Sequence, residues 1–242
     1  MTPPFSFKSR CEAAFDFCEQ LRAITYLALL TPMLGTILQG QAPVPVVPHA
    51  PERPDAAGRY LFYLHGRIVE DQGVDAVSPE HGEYQYSAIV QQLATEGFTV
   101  ISEVRPPDTD PEVYADAVAR DVRHLLGAGV SPRNITVIGA SKGAVIAMLV
   151  SSRLTAAIRY VVLANCNEYI FRTYSMNLHG HVLSIYEASD ELGQTCRPLF
   201  DRSPELGQRH EIRLTTGLRH GFIFRPLESW LRPAVAWSRG GA

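Results

Sequence analysis

Gly139-Ala140-Ser141-Lys142-Gly143 follows the apolar run Asn134-Ile135-Thr136-Val137-Ile138 and precedes Ala144-Val145-Ile146-Ala147-Met148-Leu149-Val150. The order reads as strand, tight turn, buried helix. So sharp a turn at the central serine brings together the positions two before and two after it, and glycine removes the Cβ from both. Gly139 and Gly143 stand at those positions. A strand that delivers a serine to the start of a helix holds the hydroxyl up at the carboxyl edge of a sheet, which makes Ser141 the candidate nucleophile.

On both sides of this turn the chain alternates short apolar runs with helical patterns. Tyr60 to Leu64, Phe98 to Ser102, Tyr160 to Ala164, Val182 to Tyr186 and Glu211 to Leu214 read as strands. Tyr86 to Glu96 and Val113 to Leu126 read as helices, the second ended by Gly127 and Gly129, and a last helix runs from Pro226 to about Trp237. Such alternation predicts an α/β fold, a mostly parallel sheet joined by right-handed crossovers with helices on both faces. Ligands then gather at the carboxyl ends of the strands, which gives every candidate residue a positional test.

A serine hydroxyl is a weak nucleophile at neutral pH and needs a general base, oriented by a carboxylate. His220 follows the last strand through Thr215-Thr216-Gly217-Leu218-Arg219 and is the best-placed histidine. His181, His179 and His210 lie at the wrong ends of strands, and His124 lies in a helix. The carboxylate should follow the Val182 strand, where Asp190 is favoured over Glu187, still at the strand end, with Glu191 as alternative. The order Ser141, Asp190, His220 is that of α/β-hydrolases. An oxyanion hole needs two backbone donors: the N–H of Lys142, at the start of its helix, and that of Arg67 or Gly66 after the Tyr60 strand. Lys142's own ammonium is expected in solvent. Tyr84, Tyr86 and Phe222 are candidate substrate-binding residues, with Glu103, Arg105, Asn165 and Asn167 also near the expected rim.

These motifs, Gly139-Ala140-Ser141-Lys142-Gly143, Ser189-Asp190 and Arg219-His220-Gly221-Phe222 with His65-Gly66, resemble the α/β-hydrolase fold superfamily, in particular small bacterial serine hydrolases of unassigned substrate. The resemblance covers roughly three quarters of the chain. It implies Ser141 as nucleophile, Asp190 as acid and His220 as base in cleavage of an ester or related acyl bond through an acyl-enzyme, with a small-molecule acyl substrate and no cofactor. The Pro-rich stretch ahead of Tyr60 leaves little room for the antiparallel strands that many members carry. The short span between the Ala164 and Val182 strands leaves none for a large lid. The alternatives are a thioesterase or peptidase on the same three residues, or a non-catalytic binding module on a hydrolase scaffold.

A chain of 242 residues, 46% hydrophobic, can bury a full core. Its net charge of -3 carries no basic excess and argues against nucleic acid as a partner. Residues 1-42 contain the apolar block Ala23 to Leu30 and Met33 to Leu38, preceded by Lys8, Arg10 and Arg22. They read as a signal peptide or membrane anchor, with an amphipathic helix as the alternative. A periplasmic or secreted location follows from the first reading and a cytoplasmic one from the second. Residues 43-58 are Pro-rich and read as a linker, and 59-242 as the hydrolase domain. Cys11 and Cys18 precede the apolar block. Cys166 and Cys196 would remain as a pair able to form a disulfide in an oxidising compartment. No zinc-like spacing occurs, so no metal is expected.

Overall fold

The structure is a computed structural model and describes residues 46–241. The expected leader over 1-42, with Cys11 and Cys18, lies outside the described residues. In chain order the elements are β1 (Val46–Val47), β2 (Tyr60–Leu64), α1 (Arg67–Gln72), β3 (Val77–Ser78), β4 (Gly82–Glu83), α2 (Tyr86–Thr95), β5 (Thr99–Ile101) and α3 (Pro111–Gly127). Then follow β6 (Ile135–Ala140), α4 (Lys142–Arg153), β7 (Arg159–Leu163), α5 (Glu168–Thr173), β8 (His181–Glu187), α6 (Arg197–Asp201), β9 (Arg209–Leu214) and α7 (Glu228–Ser238).

Seven strands form one sheet in the order β1-β5-β2-β6-β7-β8-β9, and every pairing in it is parallel. Its central strands are buried on both faces, which is why they read as unbroken apolar runs rather than as alternation. In β2, Tyr60, Phe62 and Leu64 enter one core, while Leu61 and Tyr63 enter the other. The first core is shared with α3 and α4, the second with α2 and α7. Helix α4 is buried from Gly143 to Ser151 because it is packed between the sheet and α3. Among the described residues no helix is long and apolar enough to cross a membrane.

The register does the positioning. Leu64 of β2 pairs with Gly139 of β6, so the chain leaving β2 as His65-Gly66 runs beside Ala140-Ser141. Ala140 pairs with Leu163 and Leu163 with Ile185, which brings the loops after β7 and β8 to the same edge.

Several features differ from the sequence expectation. Val46 and Val47, inside the stretch expected to be a linker, pair with Val100 and Ile101 as an edge strand. Proline is tolerated beside an edge strand because one side of that strand needs no ladder bonds. Beyond it, the N–H of Ala50 donates to Asp121, and His124 Nε2 lies 3.0 Å from the carbonyl of Pro51, so this segment is held against α3. Helix α3 starts two residues earlier than its apolar spacing implies, because Asp110 caps the N–H groups of Glu112 and Val113 and Pro111 takes the first helical position. Helix α7 begins at Glu228 rather than Pro226. The short elements α1, β3, β4, α5 and α6 span two to six residues each, too few to show a period. Between β7 and β8 there is only α5, and no large lid.

Candidate active site

Ser141 sits between β6 and α4 with φ 53° and ψ -118°, a backbone conformation that an L-residue adopts only under constraint. Two close approaches impose it. A Cβ on Gly139 would overlap the carbonyl of Gly143, and a Cβ on Gly143 would overlap the carbonyl of Leu64. The N–H of Ser141 donates to Leu163 O at 2.9 Å, and Asn165 Nδ2 donates to Ser141 O at 2.9 Å, so the turn is tied to β7 and its loop.

His220 reaches the serine from the 3-10 turn Arg219–Phe224 after β9. Its Nε2 lies 3.0 Å from Ser141 Oγ and its Nδ1 lies 2.8 Å from Asp190 Oδ2. An ionised carboxylate can only accept, so Nδ1 carries the proton and Nε2 is left as the acceptor facing the hydroxyl. Asp190 is buried, with its other oxygen accepting the N–H of Leu192 at 3.0 Å. The structure therefore joins Ser141, His220 and Asp190 in one hydrogen-bonded chain.

The two rival carboxylates are occupied elsewhere. Glu191 is largely exposed and lies 3.8 Å from Arg219. Glu187 is buried and accepts bonds from the hydroxyl and N–H of Thr216 at 2.7 and 2.8 Å, and from the hydroxyl of Ser189 at 3.2 Å. Burial alone would raise its carboxyl. The bonds from Thr216, Ser189 and Gly217 outweigh that and hold it below the usual carboxylate range. Glu187 thus anchors the turn that leads to His220. Gly193, which has no flag in the sequence, packs against Ala164, where a Cβ would also lie 2.8 Å from Asp190 Oδ2.

Cys166 and Cys196 are joined by a disulfide, with Cα atoms 5.1 Å apart. A bridge pairing Cys166 with Gln194 and a 2.7 Å bond from Asn167 Nδ2 to Leu192 O bind the same two segments. The loop carrying Asp190 is thereby fastened to the loop carrying Asn165.

Gly66 precedes α1 and lies against the serine; a Cβ there would be 3.5 Å from that of Ser141. Arg67 and Lys142 are the first residues of α1 and α4, and a first-turn N–H has no carbonyl one turn back to receive it. No side chain caps either helix. The guanidinium of Arg67 is turned out, its side chain 66% exposed.

Lys142 departs from expectation. Its ammonium is not free in solvent but bonds Glu70 Oε1, and its side chain is 18% exposed. Glu70 is fully buried and also accepts from Arg105 Nε at 3.3 Å and from the N–H of Thr109 at 3.0 Å. Arg105, expected at the rim, is buried, with its Nη2 donating to His65 O. The N–H of Arg105 donates to His65 Nε2 at 3.0 Å, which leaves Nδ1 to donate to Gly66 O at 2.8 Å. Burial, reinforced by the charge of Arg105, lowers His65 to about 3, so this imidazole is neutral.

Three expected binding residues face the wrong way. Tyr84 is buried with its hydroxyl 2.7 Å from that of Tyr63, and burial pushes it up to about 12. Tyr86 is buried with its hydroxyl 2.8 Å from Ser102 Oγ, and Phe222 lies wholly within the second core. None of the three lines the opening at Ser141. That opening is a cleft of about 430 Å³ whose walls are Val145, Ile170, Tyr174, Tyr169 and Leu192, with Asn165 and Arg67 at its polar side. Tyr169 and Leu192 stand exposed at its mouth. Of the remaining rim candidates, Asn167 caps α5 through Ile170 and Glu103 accepts the hydroxyl of Tyr114. Among the described residues no cluster of His, Cys, Asp and Glu is arranged to hold a metal ion.

No protein-family model and no curated protein matches the sequence. Solved structures do. EstE5, in crystals soaked with p-nitrophenyl butyrate, is 14% identical with a TM-score of 0.53, over 78% of this chain and 79% of that one. An esterase of Pyrococcus furiosus is 15% identical with a TM-score of 0.50, over 76% of this chain and 83% of that one. The chain has the α/β-hydrolase fold, in a form whose seven-stranded sheet is parallel throughout.

Proposed function

We propose that the protein is a serine hydrolase that cleaves an ester or related acyl bond through an acyl-enzyme intermediate. One observation carries the reading, the unbroken path Ser141 Oγ to His220 Nε2 to Asp190 at 3.0 and 2.8 Å. Such a path lets a neutral imidazole remove the hydroxyl proton as the oxygen attacks a carbonyl, while the buried carboxylate stabilises the imidazolium that results. The oxyanion turns toward the N–H groups of Lys142 and Arg67 at the starts of two helices, where hydrogen bonds and helix dipoles favour the developing charge. His220 then gives its proton to the leaving alcohol. It next takes a proton from water as the water oxygen bonds to the acyl carbon, and returns that proton to Ser141 Oγ as the acyl–oxygen bond breaks and the carboxylic acid leaves. The likeness to two esterase structures fits this chemistry. Short to medium acyl esters suit the open apolar cleft. The test is turnover of p-nitrophenyl esters, thioesters and aminoacyl amides by the wild type and by Ser141→Ala. Ester turnover abolished by the substitution is expected, and equal turnover by both proteins would overturn the reading.

The proposal extends to export into the periplasm or medium, supported by the Cys166 to Cys196 disulfide, since such bonds persist in oxidising compartments. The mass of the mature chain from an extracytoplasmic fraction tests it. Loss of roughly the first 40 residues is expected for a cleaved leader. Recovery of the protein only from cytosol would contradict export.

A further inference from the structure

We propose that Glu70 is a positioning residue for the oxyanion hole, acting through the ammonium of Lys142. The inference rests on the serine-hydrolase reading above and adds a residue to it. The two backbone donors of that reading sit on separate helices, Arg67 on α1 and Lys142 on α4. Helix α1 has six residues and no side-chain cap, too short to hold its own place. Something else must fix its first N–H relative to the serine turn.

Glu70 does so from the centre of α1. Its Oε1 accepts Lys142 Nζ, the side chain of the very residue whose N–H opens α4, and the N–H of Thr109 from the loop between β5 and α3. Its Oε2 accepts Arg105 Nε, and Arg105 in turn holds the carbonyl of His65 at the end of β2. One buried carboxylate thus ties together three loops that surround Ser141. Charge-assisted hydrogen bonds out of water are strong, and one of them, from Lys142 Nζ to Glu70 Oε1, crosses between the two helices that carry the donors. The hydrolase fold does not require a lysine after the serine for its backbone donor. The buried pairing with Glu70 gives that lysine's side chain a task of its own.

Two substitutions separate positioning from simple charge. Lys142→Met keeps the backbone N–H and most of the side-chain volume, and removes the ammonium. Glu70→Gln keeps the shape, loosens both ion pairs and leaves the local charge more positive. Positioning predicts that both lower kcat by about tenfold to a hundredfold, the range in which small displacements of a catalytic donor act, with KM held within about twofold. Affinity for a trifluoromethyl ketone, which forms the oxyanion, should fall in parallel, and Lys142→Arg should recover most of the loss. Thermal melts establish that the variants are folded. Glu70→Gln with wild-type or raised kcat would overturn the inference, as would a loss expressed in KM alone. Fluorophosphonate labelling of the wild type at Ser141 keeps the two readings apart. If Ser141 labels and Glu70→Gln is fully active, only this inference fails; if Ser141 never labels, the reading beneath it fails.

Discussion

His220 Nδ1 lies 2.8 Å from Asp190 Oδ2, and this carboxylate is buried beneath the ring, with its side chain only 2% exposed. The bond selects the tautomer that leaves Nε2 able to accept from Ser141. Asp190→Asn keeps the shape but can offer an amide N–H to Nδ1, which moves the ring proton to Nε2 and removes the acceptor. The expected result is a fall in kcat of about 10³- to 10⁴-fold with an unchanged melting temperature. Steady-state kinetics on an ester that the wild type turns over checks it, and a loss below tenfold would place Asp190 outside the chemistry.

Glu187 sets the acid stability of the loop behind His220. Its carboxyl is depressed below the ordinary value of 4.5 in the folded state, so the unfolded chain takes up a proton more readily. Its contribution is complete above about pH 4.5 and is lost as pH falls through the lower folded value. Glu187→Gln should therefore be less stable than wild type at pH 7 and should narrow that gap on acidification. Urea melts at pH 7 and pH 3.5 measure this, and a gap independent of pH would contradict it.

His65 works in a higher window. Burial, with Arg105 adjacent, holds it at about 3, against 6.5 for an ordinary histidine, so between those values the unfolded chain binds a proton that the folded chain does not. Stability from this group is complete above about pH 6.5 and falls by about 2 kcal/mol by pH 5. His65→Gln should flatten that part of the profile in urea melts at pH 7 and pH 5. An unchanged slope would show that the imidazole is not held neutral.

The disulfide closes a loop of 30 residues in sequence separation. Chain-entropy reasoning gives about 3 to 4 kcal/mol for a loop of that size, or a melting temperature about 10 °C lower after reduction or in the Cys166→Ala, Cys196→Ala double variant. Calorimetry with and without reductant checks the shift. Because the bridge fastens the Asp190 loop to the Asn165 loop, kcat should fall with it.

The sheet was readable because each central strand is a short apolar run bounded by turn residues, and a strand buried on both faces needs no alternation. Ser141, His220 and Asp190 were readable for a different reason. The proposed chemistry demands a serine, a histidine and a carboxylate at the carboxyl ends of strands, and that requirement sets aside His124, His179, His181 and His210. What decides whether a residue near such an end faces the cleft is the turn of its side chain. Sequence proximity therefore failed for Tyr84, Tyr86 and Phe222, all of which point into the core. The Glu70, Lys142 and Arg105 network left no trace either. Arg67-Ile68-Val69-Glu70-Asp71-Gln72 has the composition of an exposed turn, and a buried ion pair between residues 72 positions apart has no periodic signature. The disulfide could be named as a pair, but not its place beside Asp190.

The role of Ser141 as nucleophile is tested most directly by covalent labelling with a fluorophosphonate, followed by mass spectrometry of the peptide that contains residue 141. One adduct on Ser141 is expected, absent from Ser141→Ala and slowed by orders of magnitude in His220→Ala. A folded wild-type protein that forms no adduct, or forms it equally well without His220, would contradict it.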